Sequence, residues 1–530
     1  MPLTGPEVLD AEFDVCVIGA GPGGLACALR AHDRGLRVLV LEAGGEQPIP
    51  GQPDILAADI VDGKWHDPVD IVSAAALGGS SHWWGGRSVP FDPVDFRFWP
   101  LTYEEMLPWW DEGAAFLGSK SVFETPAPGA FANLSAFDAV RSECWGPQLN
   151  MAKRWKARLR GANSPAIVLN TRATGLSYAD GRVTGVQVRI GDQQKTVRAR
   201  HVVVACGGLG GMRLLLLAQR ETPSLFGGPD GMLGKGYMGH LTGSVAELVP
   251  AHLEDVKGFA GSPLGGGSFA RRRMRPSPET VIENDLCNIA FWLENAAIDD
   301  PGQGSAVGSA RYVAARMVRL LKSRGRGGGP GQPLGPHLAA IAKSPVSAAT
   351  GLGQAAYLLL SAKLTGRHPH STILLPNSRG ALPMYYHAEH LPDPTNRVSL
   401  STNTDSLGLP RLHIDFRMSD KDIDSVVRAH ALLDKDLQAA GAGRVVMKGD
   451  AELSHELVRQ STRDGYHQLG GAVMSTDPAK GVVDTECRAH GVENLWVASS
   501  NVFPSGSQAN PTLTIAALAC RIADRIAGVR

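Results

Sequence analysis

The chain has 530 residues, of which 43% are hydrophobic and 20% charged, with Lys+Arg and Asp+Glu both at 52. This length suits two to four domains, or one large enzyme of interleaved domains, and the balanced charge leaves no electrostatic footprint for nucleic acid. The seven cysteines are scattered without a C-x-x-C pair, which argues against a disulfide framework, a zinc ribbon and a covalent c-type haem site, so no metal ligands are assigned.

Met1 to Phe13 is acidic and shows neither a basic n-region nor an apolar h-region, and no run of 18 or more apolar residues occurs. A reduced, cytoplasmic setting without a transmembrane segment is therefore expected. Phe13 to Ile18 reads as a buried strand, Gly24 to Arg34 as a helix and Arg37 to Leu41 as a second strand ending at Glu42, a β-α-β unit of a parallel sheet. Residues 45–110 look mostly irregular. Residues 165–205 read as successive strands with a hairpin at Asp180-Gly181-Arg182, followed by a helix over 211–220. The run Arg271-Arg272-Arg273 reads as a solvated loop. A basic, glycine-rich tract from Arg324 to Gly335 reads as a mobile loop between two amphipathic segments, 308–323 and 337–364. Those segments are expected to pack against their own domain, with a membrane or a partner as the alternative. Strands are expected from Asn396 to Asp415, a helix over 420–440 and a terminal helix from Thr512 to Ile526, with Pro511 in its first turn.

Gly19-Ala20-Gly21-Pro22-Gly23-Gly24 fits G-x-G-x-x-G in the required place, after a strand and opening a helix. Gly19 allows the tight turn, Gly21 lets the backbone approach a pyrophosphate, and Gly24 allows close helix–strand packing. Glu42 stands at the end of the second strand, where a carboxylate accepts hydrogen bonds from ribose hydroxyls. The fingerprint points to a dinucleotide.

Four stretches together resemble the glucose–methanol–choline (GMC) oxidoreductase family: this fingerprint; Leu77 to Gly86 (LGGSSHWWGG); Val202 to Leu217 with Gly234 to His240; and the run from Tyr466-His467-Gln468-Leu469-Gly470-Gly471 to Asn510-Pro511-Thr512-Leu513. The resemblance implies an α/β fold in which a Rossmann-type FAD-binding domain is interleaved with an α+β substrate domain, an antiparallel sheet flanked by helices. The expected division is 1–115, 160–245 and 455–530 for FAD and 116–159 with 246–454 for substrate. It selects FAD over NAD, because flavoproteins commonly end the second strand E-A-G, as in Glu42-Ala43-Gly44. It places Gly79, Ser80, Ser81, His82, Ala205, Gly207, Asn501, Pro511 and Thr512 against the cofactor, with the Pro504–Gly506 turn near the flavin ring. Ser81-His82-Trp83 is similar to the context of a covalent histidine–FAD bond in the pyranose-oxidase branch. Non-covalent FAD, with His82 packed or hydrogen-bonded, is nevertheless the expectation.

The family's chemistry is oxidation of a CH–OH group, with hydride to the flavin and a proton to a base. Its catalytic histidine falls on His467, a residue type whose ordinary pKa suits a base. Its second active-site position falls on Asn510, whose amide can donate to a developing alkoxide, a helix-capping role being the alternative. The sugar-oxidising branch is the nearest in pattern, and the expected substrate is a sugar or an aminoglycoside, for instance the primary 6′-hydroxyl of a paromamine-like amino sugar. A cationic substrate calls for pocket carboxylates, and Glu283, Asp285, Glu389 and Asp393 are candidates by position. The competing expectations are ring-hydroxyl oxidation of a pyranose or C-glycoside, a steroid or terpenoid alcohol oxidase served by the apolar 346–364 segment, and a flavin-binding protein without turnover. The intact His467/Asn510 pair argues against the last. Oxygen or another electron acceptor completes the expected partners.

Overall fold

The computed structural model describes residues 4–49, 57–295, 306–322, 333–349, 379–448 and 454–529, with a few isolated positions between 352 and 377. β1 (Glu12–Ile18), α1 (Pro22–Asp33) and β2 (Val38–Leu41) form the expected unit. β1 and β2 run parallel from Val15↔Val38 to Ile18↔Leu41, and β2 is buried throughout. That two-sided burial is why both strands read as apolar runs without alternation. α1 starts after Gly21 with Pro22 in its first turn and no side chain capping it, which leaves its first N–H groups free for a ligand. A β-carbon at Gly24 would stand 2.0 Å from the Gly19 carbonyl oxygen, so the helix lies as close to the turn as glycine permits.

Over 45–110 the chain is largely irregular as expected, but a helix, α2 (Tyr103–Leu117), begins inside that range. A Thr102/Glu105 capping box starts it, and it carries Pro108 in its first two turns; the proline obscures its signal in the sequence. β3 (Ala166–Val168), β4 (Arg172–Ala179), β5 (Arg182–Ile190) and β6 (Gln193–Val204) follow. The turn between β4 and β5 sits at Asp180-Gly181, both with positive φ (50° and 77°), as a two-residue hairpin requires. α3 (Gly208–Glu221) covers the expected helix.

The second half supplies β7 (His240–Pro250), β8 (Ile289–Leu293), α4 (Ala306–Lys322), α5 (Leu334–Lys343), β9 (Leu382–Glu389), α6 (Asp420–Ala439), β10 (Gly443–Met447), β11 (Leu495–Val497) and α7 (Thr512–Ile526). Two sheets organise the fold. The larger has the order β3-β2-β1-β6-β5-β4, with β11 also pairing with β6; the smaller is antiparallel, β8-β9-β7-β10. The fold is thus the mixed α/β arrangement expected. α7 packs against both α1 and α2, so the last helix covers the first. The Arg324–Gly335 tract and the 346–364 segment lie mostly outside the described residues. Among the described residues α4 and α5 pack on each other around Ala306, Ala310 and Ala348, a small cluster apart from the main core.

Gly24→Ala places a methyl group against backbone that has no rotamer to yield. We expect its thermal unfolding midpoint to fall by several degrees, as roughly 1–3 kcal/mol of overpacking implies, measured by calorimetry; an unchanged midpoint would show that the helix can slide.

Candidate active site

A cavity of about 780 Å³ opens between the two sheets, within the size range of small-molecule and cofactor sites. One end is walled by Gly19, Gly21, Glu42, Gly79, Ser80 and Ser81, and farther along by Ala205, Gly207, Pro511 and Thr512. A β-carbon on Gly21 would meet only Gly79 Cα, at 3.9 Å, so this backbone is open to a close-lying ligand. Glu42 accepts the Ala20 N–H and the Gly44 N–H, both at 2.9 Å, and burial pushes its carboxyl up to about 7. This end fits a dinucleotide.

His467 stands on the wall of the other end with His387, Asp464 and Asn510. The loop carrying it is set by Asp464, whose Oδ1 accepts the N–H groups of Gly465, Tyr466 and His467 at 2.7, 2.9 and 3.3 Å. Asp464 Oδ2 accepts the His240 N–H at 2.7 Å and lies 3.5 Å from His467 Nδ1. Burial alone would raise this carboxyl, but His467, His240 and the backbone donors hold it well below the usual carboxylate range, so it is ionised.

Hydrogen-bond bookkeeping then fixes each ring. His387 Nδ1 lies 2.6 Å from the Gln508 carbonyl oxygen, which can only accept, so Nδ1 carries the proton and Nε2 is an acceptor. His387 Nε2 is 3.3 Å from His467 Nδ1; the latter must therefore donate, which leaves His467 Nε2 with its lone pair. Burial, reinforced by the neighbouring His240 and His467, keeps His387 far below the ordinary histidine value, so it stays neutral in this role. Asn510 is fixed in the same way. Arg273, which can only donate, gives Nη2–H to Asn510 Oδ1 at 2.9 Å, and the amide Nδ2 faces His467 Nε2 at 3.3 Å. Both polar atoms of the Asn510 side chain are thus directed at Arg273 and His467 and not at the N–H groups of the helix start.

The GMC oxidoreductase model matches residues 392–519, and the FAD binding domain model matches 14–49 and 62–248. The chain belongs to the GMC oxidoreductase family. It is an FAD-dependent enzyme that oxidises CH–OH groups. It is 24% identical to 2-methyl-1,2-propanediol dehydrogenase of Mycolicibacterium austroafricanum, over 97% of this chain and 95% of that one. It is 26% identical to paromamine 6′-oxidase of Streptomyces fradiae, over 98% and 92%. Among solved structures, an FAD-dependent oxidoreductase from Chaetomium thermophilum superposes with a TM-score of 0.53 at 15% identity, covering 97% of this chain and 98% of that one.

In this GMC oxidoreductase three of the expected cofactor residues stand off the cavity wall. Gly24 serves the helix–strand contact. His82 donates its Nε2–H to the Leu77 carbonyl, 2.9 Å away, and so holds its own loop rather than presenting its ring to the cavity. Asn501 is buried behind α3, its amide next to Gly211 and its Oδ1 accepting from Ser499. The turn after Pro504 lies under the histidines, where the Gly506 carbonyl accepts from His240 Nε2 at 3.2 Å. Ser81 lines the cavity, but its hydroxyl donates to the Gly78 carbonyl at 2.5 Å and accepts the Met151 N–H at 3.0 Å, so it shapes the loop. The carboxylates named for a cationic substrate are elsewhere. Glu389 is buried against Arg97 at 2.9 Å, Glu283 and Asp285 are exposed, and Asp393 caps Thr395.

Sequence reasoning passed over His387, His240, Asp464 and the arginines. Arg273 is buried and Arg271 largely so, not solvated, because Ser268–Arg272 forms a strand beside Ser142–Trp145. The fully buried Glu143 on that neighbour binds both. Burial pushes Glu143 up, but Arg271, Arg273 and Arg87 together hold it down to about 2. A signal existed: three arginines in sequence separated by strand alternation cannot all face water.

His240, His387 and His467 lie close enough for one metal ion by distance, the one such group among the described residues. The rings of His240 and His387 stack, however, with centroids 4.0 Å apart and planes within 22°. Their in-plane lone pairs run side by side and do not converge on a point about 2 Å from each, as a bound ion demands. As arranged, the trio fits hydrogen bonding and not coordination.

Glu143→Gln removes the one buried carboxylate that Arg271 and Arg273 share. We expect a loss of about 3–5 kcal/mol in unfolding free energy, read from urea denaturation of the holoenzyme. A loss below about 1 kcal/mol would mean that Glu294 compensates.

Proposed function

We propose that His467 is the general base of this enzyme and Asn510 its hydrogen-bonding partner at the reacting oxygen. The observation that carries this reading is the forced tautomer: His467 Nδ1–H is committed to His387, so Nε2 carries its lone pair on the cavity side, where it accepts from the Asn510 amide in the absence of substrate. FAD, when bound, supplies the acceptor for the hydride leaving the carbinol carbon. His467 Nε2 takes the hydroxyl proton, and the carbinol becomes a carbonyl. The imidazolium so formed sits 3.5 Å from the ionised Asp464, which stabilises it. Asn510 Nδ2–H, oriented by Arg273, donates to the oxygen as charge builds on it.

We further propose a polyhydroxylated substrate of the sugar class, neutral or acidic. Its support is the cavity lining: Trp83, Trp84, Trp292, Tyr385 and Tyr466 supply flat apolar faces, suited to the C–H faces of a sugar ring, and Arg87 supplies donors. Arg87 lies over the Trp292 ring at 4.9 Å and stands 3.8 Å from both Glu143 and Glu294, beyond hydrogen-bond length. Burial lowers it to about 10, which leaves it charged. The acidic residues lining the cavity, among the described residues, are Glu42 and Asp464, both engaged by backbone. That charge balance disfavours a polycationic substrate. The full-length likeness to paromamine 6′-oxidase supports the amino-sugar reading as the second one.

Three outcomes check these readings in anaerobic stopped-flow measurements of flavin bleaching. His467→Ala should slow reduction by about 10²–10⁴-fold while the bound-flavin spectrum persists. His387→Leu, which removes the acceptor for His467 Nδ1–H, should slow it by roughly 10²-fold, and His387→Gln, which keeps an acceptor, should recover most of that. With a neutral sugar, its sugar acid and an amino sugar compared, faster bleaching by the amino sugar would reverse the substrate reading. Bleaching by a steroid alcohol alone would replace it.

A further inference from the structure

Charge is balanced over the chain but not along it. Residues 301–381 contain ten Lys+Arg and no Asp or Glu, leaving 42 against 52 in the remainder. Within that stretch, Ser344 to Ala362 is 19 consecutive uncharged residues bracketed by Lys343 and Lys363. The acid-free stretch includes α4 and α5, which hold together through a thin core of Ala306, Ala310 and Ala348 with Ile341 against it. Tyr312 and His337 pack ring to ring at 4.4 Å, and His337 Nδ1 meets Ser309 Oγ at 3.1 Å. Several larger apolar side chains of this unit point outward instead. Met317, Leu338 and Val346 are 60%, 53% and 79% exposed, and Leu334 and Leu352 are exposed as well. Five of the seventeen large exposed hydrophobic residues among the described residues thus fall between positions 317 and 352.

We infer that the α4–α5 unit is a docking surface for an anionic lipid bilayer. Apolar side chains at the tip of a unit enter the headgroup region, and surrounding Lys and Arg meet lipid phosphates. A single carboxylate in the patch would repel those phosphates, and the sequence places none across 81 residues. Among the described residues no helix is long and apolar enough to cross a membrane, and the proposed contact is with the bilayer surface. Outward apolar residues on an otherwise well-packed chain mark an interaction surface, and the charge pattern selects the anionic partner. The inference does not depend on the catalytic reading of His467 or on the sugar substrate.

The test is co-sedimentation of the FAD-loaded full chain with vesicles of phosphatidylcholine alone or mixed with phosphatidylglycerol. Binding to the mixed vesicles that weakens about 10-fold or more with added salt is expected, with little binding to phosphatidylcholine alone. A Leu338→Ser/Val346→Asp variant should lose that binding by about 10-fold or more while retaining its flavin spectrum and its rate of bleaching by a soluble alcohol. A His337→Ala variant, which loosens the hairpin core and keeps the exposed residues, should retain measurable vesicle binding. No binding to phosphatidylglycerol vesicles at low salt overturns the inference. So does equal binding by the double variant. A dimer in sedimentation velocity that the double variant dissociates, without vesicle binding, would assign the face to a second copy of the chain and overturn it too.

Discussion

The site depends on one carboxylate whose hydrogen bonds go to the backbone around it. Asp464 sends one oxygen into three consecutive N–H groups of its own loop and the other into the backbone of β7. The first contact gives the loop its shape, and the second fixes that shape to the antiparallel sheet. Without the second, His467 would be positioned relative to the nucleotide sheet alone, and its distance to Asn510 and His387 would follow loop motion. Because β7 and β9 pair directly, His240 and His387 arrive on the same sheet face, and the loop, the sheet and the ring chain share one frame.

The polar interior around this frame is stable because nearly every group has a partner of opposite hydrogen-bonding sense. Arginine cannot accept and a carbonyl cannot donate, so each placed at the end of a chain decides the orientation of everything between. Arg273 decides Asn510, and the Gln508 carbonyl decides His387. One exception is His240, whose Nδ1 has no hydrogen-bond partner and which burial lowers to about 3. A neutral ring stacked on His387 can occupy that position at modest cost, whereas an imidazolium could not, so His240 fills space between two sheets without bringing in charge.

The nucleotide end of the cavity was legible in the sequence because each of its requirements is local. A turn, a close approach and a helix start need particular residues at adjacent positions, and Gly19 to Gly24 with Glu42 show them within thirty residues. His467 and Asn510 were legible through motif, since neither periodicity nor spacing singles them out. His387 was not, because on the page it is one histidine in a strand, and its meaning comes from a residue eighty positions away. Arg273 was misread for a related reason. A basic triplet is normally solvated, and the acid that buries it, Glu143, lies 130 positions earlier on a neighbouring strand. The capping box before α2 was present in the sequence but masked by Pro108, which the helix accommodates near its start.

β11 and α7 have an implication for how the protein is made. The sheet that begins with β1 gains its β11 edge, and the helix layer over α1 gains α7, only when the far end of the chain has left the ribosome. Until then α1 has an uncovered apolar flank and the cavity lacks the wall formed by Pro511 and Thr512. The cavity wall is therefore complete only when residues from both halves of the chain have come together.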